Sequence, residues 1–520
     1  MQQEQRAECD LLVVGGGING AGIARDAAGR GLRVILAEKD DLAAWTSSSS
    51  TKLVHGGLRY LEHYEFGLVR KSLAEREVLL RNAPHIVWPL RFLIPHDPSM
   101  RPVWMIRAGL FLYDHLARRE ILPGSRTVDL RRHPAGEPLK AHWRAGIMYS
   151  DGWVDDARLV VLNALDAHER GARVITRTTC VQARREGGIW RARLQPEGGA
   201  AFEVQARVLV NAAGPWAAQF LRDNVGRAEV RLLRLVKGSH IVVRRLFDHP
   251  YAYIFQNPDK RIVFAIPFEQ DFTLIGTTDV EVHGDPGAAK IDATEIDYLC
   301  AMANRYFSRQ VAPSDVVWSY AGVRPLLDDG ADASAITRDY KLELDSAGAP
   351  LLSVWGGKIT TYRALAEEAV DMLARPLNVT ARGWTAAAPL PGGDLGTEIA
   401  ASGSPMQDFE QFCMRQQQRW PRLPPALLNR YARAYGTRMA RLIGDASEPS
   451  DLGTEIAPGL FEAEVNYLVE HEWARTAEDV LWRRSKLGLH LPADSASRLA
   501  CWLSRQATTR REATGAGVPA

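Results

Sequence analysis

A short apolar run, Leu11-Leu12-Val13-Val14, gives way to Gly15-Gly16-Gly17-Ile18-Asn19-Gly20-Ala21-Gly22, and residues 23–31 then carry helical character. A second apolar run, residues 32–37, ends on Glu38. Strand, glycine turn, helix and strand within about 30 residues make a βαβ unit. The pattern predicts helices over 68–82 and 159–169 and strands at 174–175 and 208–210. From 237 to 279 apolar and polar positions alternate in places. Ile241-Val242-Val243 and Thr273-Leu274-Ile275 add β-branched runs, as an antiparallel sheet requires. Pro389-Leu390-Pro391-Gly392-Gly393 and Ser402-Gly403-Ser404-Pro405 then punctuate a linker. Residues 406–508 read as helical, notably 427–435, 462–472 and 476–487. The string Asp-Leu-Gly-Thr-Glu-Ile-Ala occurs at 394–400 and again at 451–457. Seven residues fall far short of a repeat of about 20–50 residues, so the match reads as coincidence.

The 520 residues allow two to four folding units, and 46% hydrophobic with 24% charged residues is the balance of a soluble globular chain. A net charge of +2 gives no general pull toward nucleic acid, so no nucleic-acid partner is expected. Five scattered cysteines offer neither a disulfide framework nor a CxxC motif, which points to a reducing compartment. No metal-ligand spacing is visible, and no apolar run reaches the ~18 residues of a membrane span. A cytoplasmic protein is expected. Residues 101–119 hold Trp104, Met105, Ile106, Leu110, Phe111, Leu112 and Tyr113 among arginines. Such a segment reads either as a basic amphipathic helix lying on a membrane or as a core helix with a polar edge.

Gly15-x-Gly17-x-x-Gly20 is the spacing for a tight turn, close backbone approach to a pyrophosphate and close helix packing; Glu38 stands where a carboxylate meets ribose hydroxyls. Together they predict dinucleotide binding without choosing between NAD and FAD. The stretch Ser47-Ser48-Ser49-Ser50-Thr51-Lys52-Leu53-Val54-His55-Gly56-Gly57-Leu58-Arg59-Tyr60 supplies hydroxyls, a cation and a second glycine turn, which suits an extended FAD.

That stretch, with residues 210–216, Lys237-Gly238-Ser239-His240, Gly276-Thr277-Thr278-Asp279, residues 322–326 and Trp355-Gly356-Gly357-Lys358-Ile359-Thr360-Thr361-Tyr362, closely resembles the aerobic FAD-dependent glycerol-3-phosphate dehydrogenases. The resemblance runs from about residue 8 to the C-terminus and is loosest in the helical tail. It implies an α/β chain: a glutathione-reductase-type FAD-binding domain interleaved with an antiparallel-sheet substrate domain of D-amino-acid-oxidase type, plus a C-terminal all-α domain. The expected oxidoreductase region is 1–388, with FAD-binding segments near 8–80, 145–235 and 325–388 and substrate segments near 81–144 and 236–324. A linker at 389–405 and a helical domain at 406–520 follow. The resemblance further implies oxidation of sn-glycerol 3-phosphate to dihydroxyacetone phosphate, electrons passing to membrane quinone, peripheral membrane contact and a homodimer. A glycerol-3-phosphate oxidase using oxygen, or another amine or hydroxy-acid flavin oxidoreductase, is the alternative; a non-catalytic flavin-binding protein is a third.

Oxidising a secondary alcohol on a flavin requires a base for the hydroxyl proton while hydride leaves carbon. His240 is the candidate, with His55 its competitor. A substrate phosphate calls for forked guanidinium donors; Arg59, Arg324 and Arg338 meet that need and resemble the family's pocket residues, with Tyr60 adding a hydroxyl. Lys358, in a Gly-Gly turn leading to a helix, is placed to stabilise reduced flavin and to touch substrate. Expected cofactor contacts are Gly15, Gly17, Asn19, Gly20, Glu38, Thr46, Ser47, Ser48, Lys52, His55, Gly57, Leu58, Val181, Gly214, Gly357, Lys358, Ile359 and Thr360.

Overall fold

A computed structural model of the chain describes residues 6–97, 102–259, 261–327 and 339–513. The apolar run at the N-terminus forms strand Arg6–Val14 at the centre of the first sheet, paired in parallel with Phe202–Asn211 on one side and Val34–Ala37 on the other. Its full path runs Lys341–Asp345, Leu351–Trp355, Phe202–Asn211, Arg6–Val14, Val34–Ala37, Arg173–Ile175, with the hairpin of Thr178–Glu186 and Ile189–Pro196 joined to Phe202–Asn211. Leu11, Val13 and Leu36 are fully buried and share one core with helices Ile18–Gly29, Asp156–Glu169 and Tyr362–Leu377. A parallel sheet covered in this way needs continuous apolar strands rather than alternating ones, as observed in Val34–Ala37.

The second sheet has ten strands and is mainly antiparallel. Leu233–Arg244 pairs with Phe272–Gly276 and Val316–Leu327, and Val87–His96 pairs along its length with Ala145–Val154. Ala145–Val154, expected to open a cofactor-binding segment, therefore belongs to the second sheet, and Leu53–Val54 pairs onto it. Nine of its ten positions are buried, so its period carries no mark of which sheet claims it.

Residues 389–405 also differ from a free linker. Leu390 is buried in the core of the first sheet and its N–H donates to the Asn82 carbonyl at 2.8 Å. The C-terminal domain has its own core, built on helices Pro405–Arg419, Pro425–Tyr435 and Glu462–His471, with a small hairpin of Glu455–Ala457 and Leu460–Phe461. The helix expected over 476–487 is only a π-helical turn, Asp479–Arg484. The duplicated heptapeptide adopts two conformations, a 3-10 turn at Leu395–Thr397 and strand at Glu455–Ala457, which agrees with coincidence.

Candidate active site

A cavity of about 650 Å³ is lined by residues from both sheets. At one end the helix Ile18–Gly29 starts with Gly17 at its N-cap. Gly15 lies at φ +111°, and a Cβ there would come within 2.4 Å of the Ala212 carbonyl oxygen. Gly15 and Gly17 line the cavity; Gly20 does not, because it closes the helix onto the turn, where a Cβ would sit 1.8 Å from the Gly15 carbonyl. The helix N-terminus and its dipole favour an anion here. Glu38 lines the cavity and accepts from Gly16 N–H at 2.6 Å and Asp40 N–H at 2.8 Å. Burial raises its carboxyl pKa, opposed by those two donors.

The serine-rich loop divides into two sets. Thr46 and Ser47 line the cavity, Ser47 Oγ accepting from Ile18 N–H at 3.0 Å and Thr46 Oγ1 donating to the Val323 carbonyl at 2.7 Å. Ser48 and Lys52 are not on the wall. The buried Lys52 ammonium donates to Asp156 at 2.8 and 2.9 Å and to the Ser48 carbonyl at 3.0 Å, pinning the loop to helix Asp156–Glu169. Burial lowers the Lys52 pKa and Asp156 opposes the shift. Val181 is likewise off the wall and 38% exposed; its neighbours Thr178, Thr179 and Cys180 line the cavity instead. Burial pushes the Cys180 thiol up to about 12, so it offers no thiolate.

Asn19, His55, Gly57, Leu58, Gly214, Gly357, Lys358, Ile359 and Thr360 all line the cavity. Asn19 Nδ2 donates to the Gly356 carbonyl at 3.2 Å, tying the glycine turn to the Gly356-Gly357 turn, while its Oδ1 is buried without a partner. Lys358 lies over the Tyr60 ring, 3.6 Å from its centroid, and Thr360 Oγ1 accepts from His55 N–H at 3.3 Å.

Arg324, on strand Val316–Leu327, also lines the cavity. It pairs with Asp279 and donates to Thr277 Oγ1 at 2.9 Å. Gly238 makes room for it: a Cβ there would stand 2.3 Å from Arg324 Nη2. Arg59 lies on the turn Leu58–His63, with its side chain outside the description, and Arg338 lies outside the described residues.

His240 is placed differently from the rest. It is 1% exposed and lies behind the wall, its Nε2 2.9 Å from Oγ1 of the cavity-lining Thr51 and its ring stacked on Tyr320 at 4.8 Å. Burial, then Arg324 and Lys52, hold its pKa well below the usual histidine value. Thr51, Thr277, Asp279 and Gly238 escaped the sequence reading as individual residues. Each sits inside a motif string already singled out, but nothing in a string tells which side chain faces a cavity. Among the described residues no cluster of three or more His, Cys, Asp or Glu side chains is arranged to hold a metal ion.

The residues fit a dinucleotide-length cofactor: two glycines whose Cβ atoms would close the turn, an acid beyond the second strand, and an orphaned acceptor on Asn19. Comparison with known proteins agrees. The FAD dependent oxidoreductase family matches residues 10–363, and the C-terminal domain of alpha-glycerophosphate oxidase matches 384–500. The glycerol-3-phosphate dehydrogenase of Pseudomonas aeruginosa is 54% identical over 500 residues, covering 96% of this chain and 95% of that protein. The D-erythritol 1-phosphate dehydrogenase of Brucella abortus is 50% identical over 497 residues, covering 95% and 97%. The solved structure of the glycerol-3-phosphate dehydrogenase from Bacillus halodurans complexed with FAD has a TM-score of 0.76 at 29% identity, covering 96% of this chain and 90% of that one.

Proposed function

The chain belongs to the FAD-dependent glycerol-3-phosphate dehydrogenases, and from that premise we propose that it oxidises sn-glycerol 3-phosphate to dihydroxyacetone phosphate and passes the electrons to membrane quinone. The observation that carries the reading is one cavity with the glycine turn and Glu38 among its walls together with Arg324, Lys358 and Tyr60. Bound FAD supplies the hydride acceptor. Arg324, its fork fixed by Asp279 and Thr277, and Lys358, held over Tyr60, supply the positive charge that a phosphate requires. His240 is neutral at physiological pH and takes the hydroxyl proton by way of Thr51 Oγ1; His55, on the wall itself, is the competing base.

Anaerobic addition of sn-glycerol 3-phosphate to the FAD-loaded protein is expected to bleach the flavin, while glycerol leaves it yellow. D-erythritol 1-phosphate is the informative comparison, given the relative that carries its name. Faster bleaching by the four-carbon ester would displace glycerol 3-phosphate as substrate, and stoichiometric hydrogen peroxide in air would make the protein an oxidase.

The membrane contact rests on the helix Val103–His115. It turns Leu110 and Tyr113 inward and leaves Trp104 and Phe111 69% and 65% exposed, with Met105 and Leu112 beside them and Tyr64 and Phe66 exposed nearby in sequence to the cavity-lining Tyr60. Among the described residues no helix is long and apolar enough to cross a membrane. What supports peripheral contact is this exposed aromatic face, which suits an interfacial helix. Burying two aromatic side chains is worth about 3 kcal/mol or more. The double substitution Trp104→Glu and Phe111→Glu should therefore reduce co-sedimentation with phospholipid vesicles at least about tenfold and slow quinone reduction. Flavin bleaching by substrate should be unaffected. Undiminished vesicle binding would remove this face from the proposal.

A further inference from the structure

The C-terminal domain reaches the cofactor cavity through buried charges. The loop that follows strand Val34–Ala37 lines the cavity with Glu38, Lys39, Ala43, Ala44 and Trp45, and in its middle stands Asp41, 2% exposed. The Asp41 carboxylate accepts from Arg484 Nη1 and Nη2 at 2.6 and 2.7 Å and from Arg483 Nε at 2.7 Å, both arginines lying on the π-helical turn of the C-terminal domain. The same turn holds a second loop. Asp479 accepts from Arg177 Nη2 at 2.8 Å; Arg177 N–H donates to the Asp40 carbonyl, and the next residue, Thr178, lines the cavity and donates its N–H to the Glu38 carbonyl. Asp479 is fully buried, and the arginines with two backbone N–H groups hold its pKa far below the usual carboxylate range against the cost of burial.

Charges placed this deep are retained only where the geometry holds both partners. The far partners of Arg483, Arg484 and Asp479 belong to loops that carry the cavity wall, whereas the buried Arg158–Glu472 pair joins the C-terminal domain to helix Asp156–Glu169. We propose that the C-terminal domain is a cofactor-retention clamp: Arg483 and Arg484 on Asp41, and Asp479 on Arg177, hold the 38–45 and 176–180 loops in the one shape in which Glu38 and its neighbours bind the adenosine half of FAD. The proposal rests on the FAD-binding reading, and the two fail separately, because the unaltered protein must bind FAD whether or not the clamp matters. Arg483, Arg484 and Asp479 are positioning residues, since none of them lines the cavity.

Apparent affinity falls in proportion to the fraction of molecules whose site is in its competent shape, so a loop correctly placed in about a tenth of molecules weakens FAD binding about tenfold. Full-length Arg484→Gln should raise the FAD dissociation constant by about tenfold and speed FAD release, both read from flavin fluorescence on dilution. At saturating FAD its KM for sn-glycerol 3-phosphate should match the unaltered protein. Arg484→Lys should recover part of the loss, because it keeps the charge and loses the fork. Glu169→Gln is the control: it breaks the pairs of Glu169 with Arg438 and Arg441 between the same two domains, which involve no residue of either loop, and it should leave the FAD constant unchanged. Two results would overturn the clamp: a folded Arg484→Gln protein whose FAD constant stays within about twofold of the unaltered one, or a Glu169→Gln protein that loses FAD equally, which would mean only general loosening of the domains. Should Arg484→Gln not fold, the milder Asp41→Asn carries the same expectation in smaller measure, and an unchanged FAD constant there would also overturn it.

Discussion

Arg324→Ala should lower kcat/KM for sn-glycerol 3-phosphate by about 10²–10³-fold while the protein keeps its FAD. A bidentate guanidinium–phosphate contact is charge-assisted at both ends and worth about 3–4 kcal/mol in a partly buried site, and each 1.36 kcal/mol is about a factor of ten. Removing the arginine also leaves Asp279 on the wall of the same cavity with its charge no longer countered by that partner, so repulsion of the phosphate adds to the loss. Lysine at this position should recover less than a tenth of the lost efficiency, because an ammonium cannot hold Thr277 and a phosphate in one plane. Gly238→Ala tests the same contact without removing charge. Its Cβ would need the space of Arg324 Nη2, so the guanidinium must move and the substrate KM should rise, by less than in Arg324→Ala. Stopped-flow flavin reduction across substrate concentration separates binding from chemistry. Unchanged efficiency in Arg324→Ala would show that the phosphate is held elsewhere and would favour a substrate without one.

The parts of this site that were legible in the sequence are those whose partners lie close by along the chain. Gly15, Gly17 and Glu38 could be placed because strand, turn, helix and strand are consecutive, and steric need for glycine and a carboxylate at the end of the second strand are local requirements. Lys52 shows the opposite case. Its hydroxyl-rich surroundings suggested a cofactor contact, yet its charge is spent on Asp156, 104 residues further on, and only the packing of helix Asp156–Glu169 against the loop reveals it. Val181 is a case of the same kind: its side chain is exposed while Thr178, Thr179 and Cys180 just before it reach the cavity, and no local pattern marks where along strand Thr178–Glu186 the wall ends. The buried strand Ala145–Val154 had no alternation to declare its sheet. The Asp41–Arg484 pair, 443 residues apart, was beyond any local pattern.

His240→Asn should slow flavin reduction by sn-glycerol 3-phosphate by about 10²–10⁴-fold, the usual worth of a positioned general base, with FAD content preserved. The argument turns on where the ring lies. His240 meets the cavity only through Thr51, whose Oγ1 stands 2.9 Å from Nε2, so the proton must pass from the substrate hydroxyl to the threonine oxygen as the threonine proton passes to the imidazole. Thr51→Val, which keeps the shape and removes the oxygen, should therefore reproduce much of the loss, and Thr51→Ser should restore it. The pH profile distinguishes this base from His55. Burial and the nearby cations lower the His240 pKa, so its neutral form persists well below the ordinary value of about 6.5 and the acid limb of flavin reduction should lie below that value in the unaltered protein. The same shift has a consequence for stability: the unfolded ring binds a proton near pH 6.5 and the folded one does not, so its contribution to folding is present above that pH and is lost as pH falls. An acid limb that disappears in His55→Asn, together with near-normal reduction in His240→Asn, would move the base to the cavity wall and leave His240 as a packed neighbour of Tyr320.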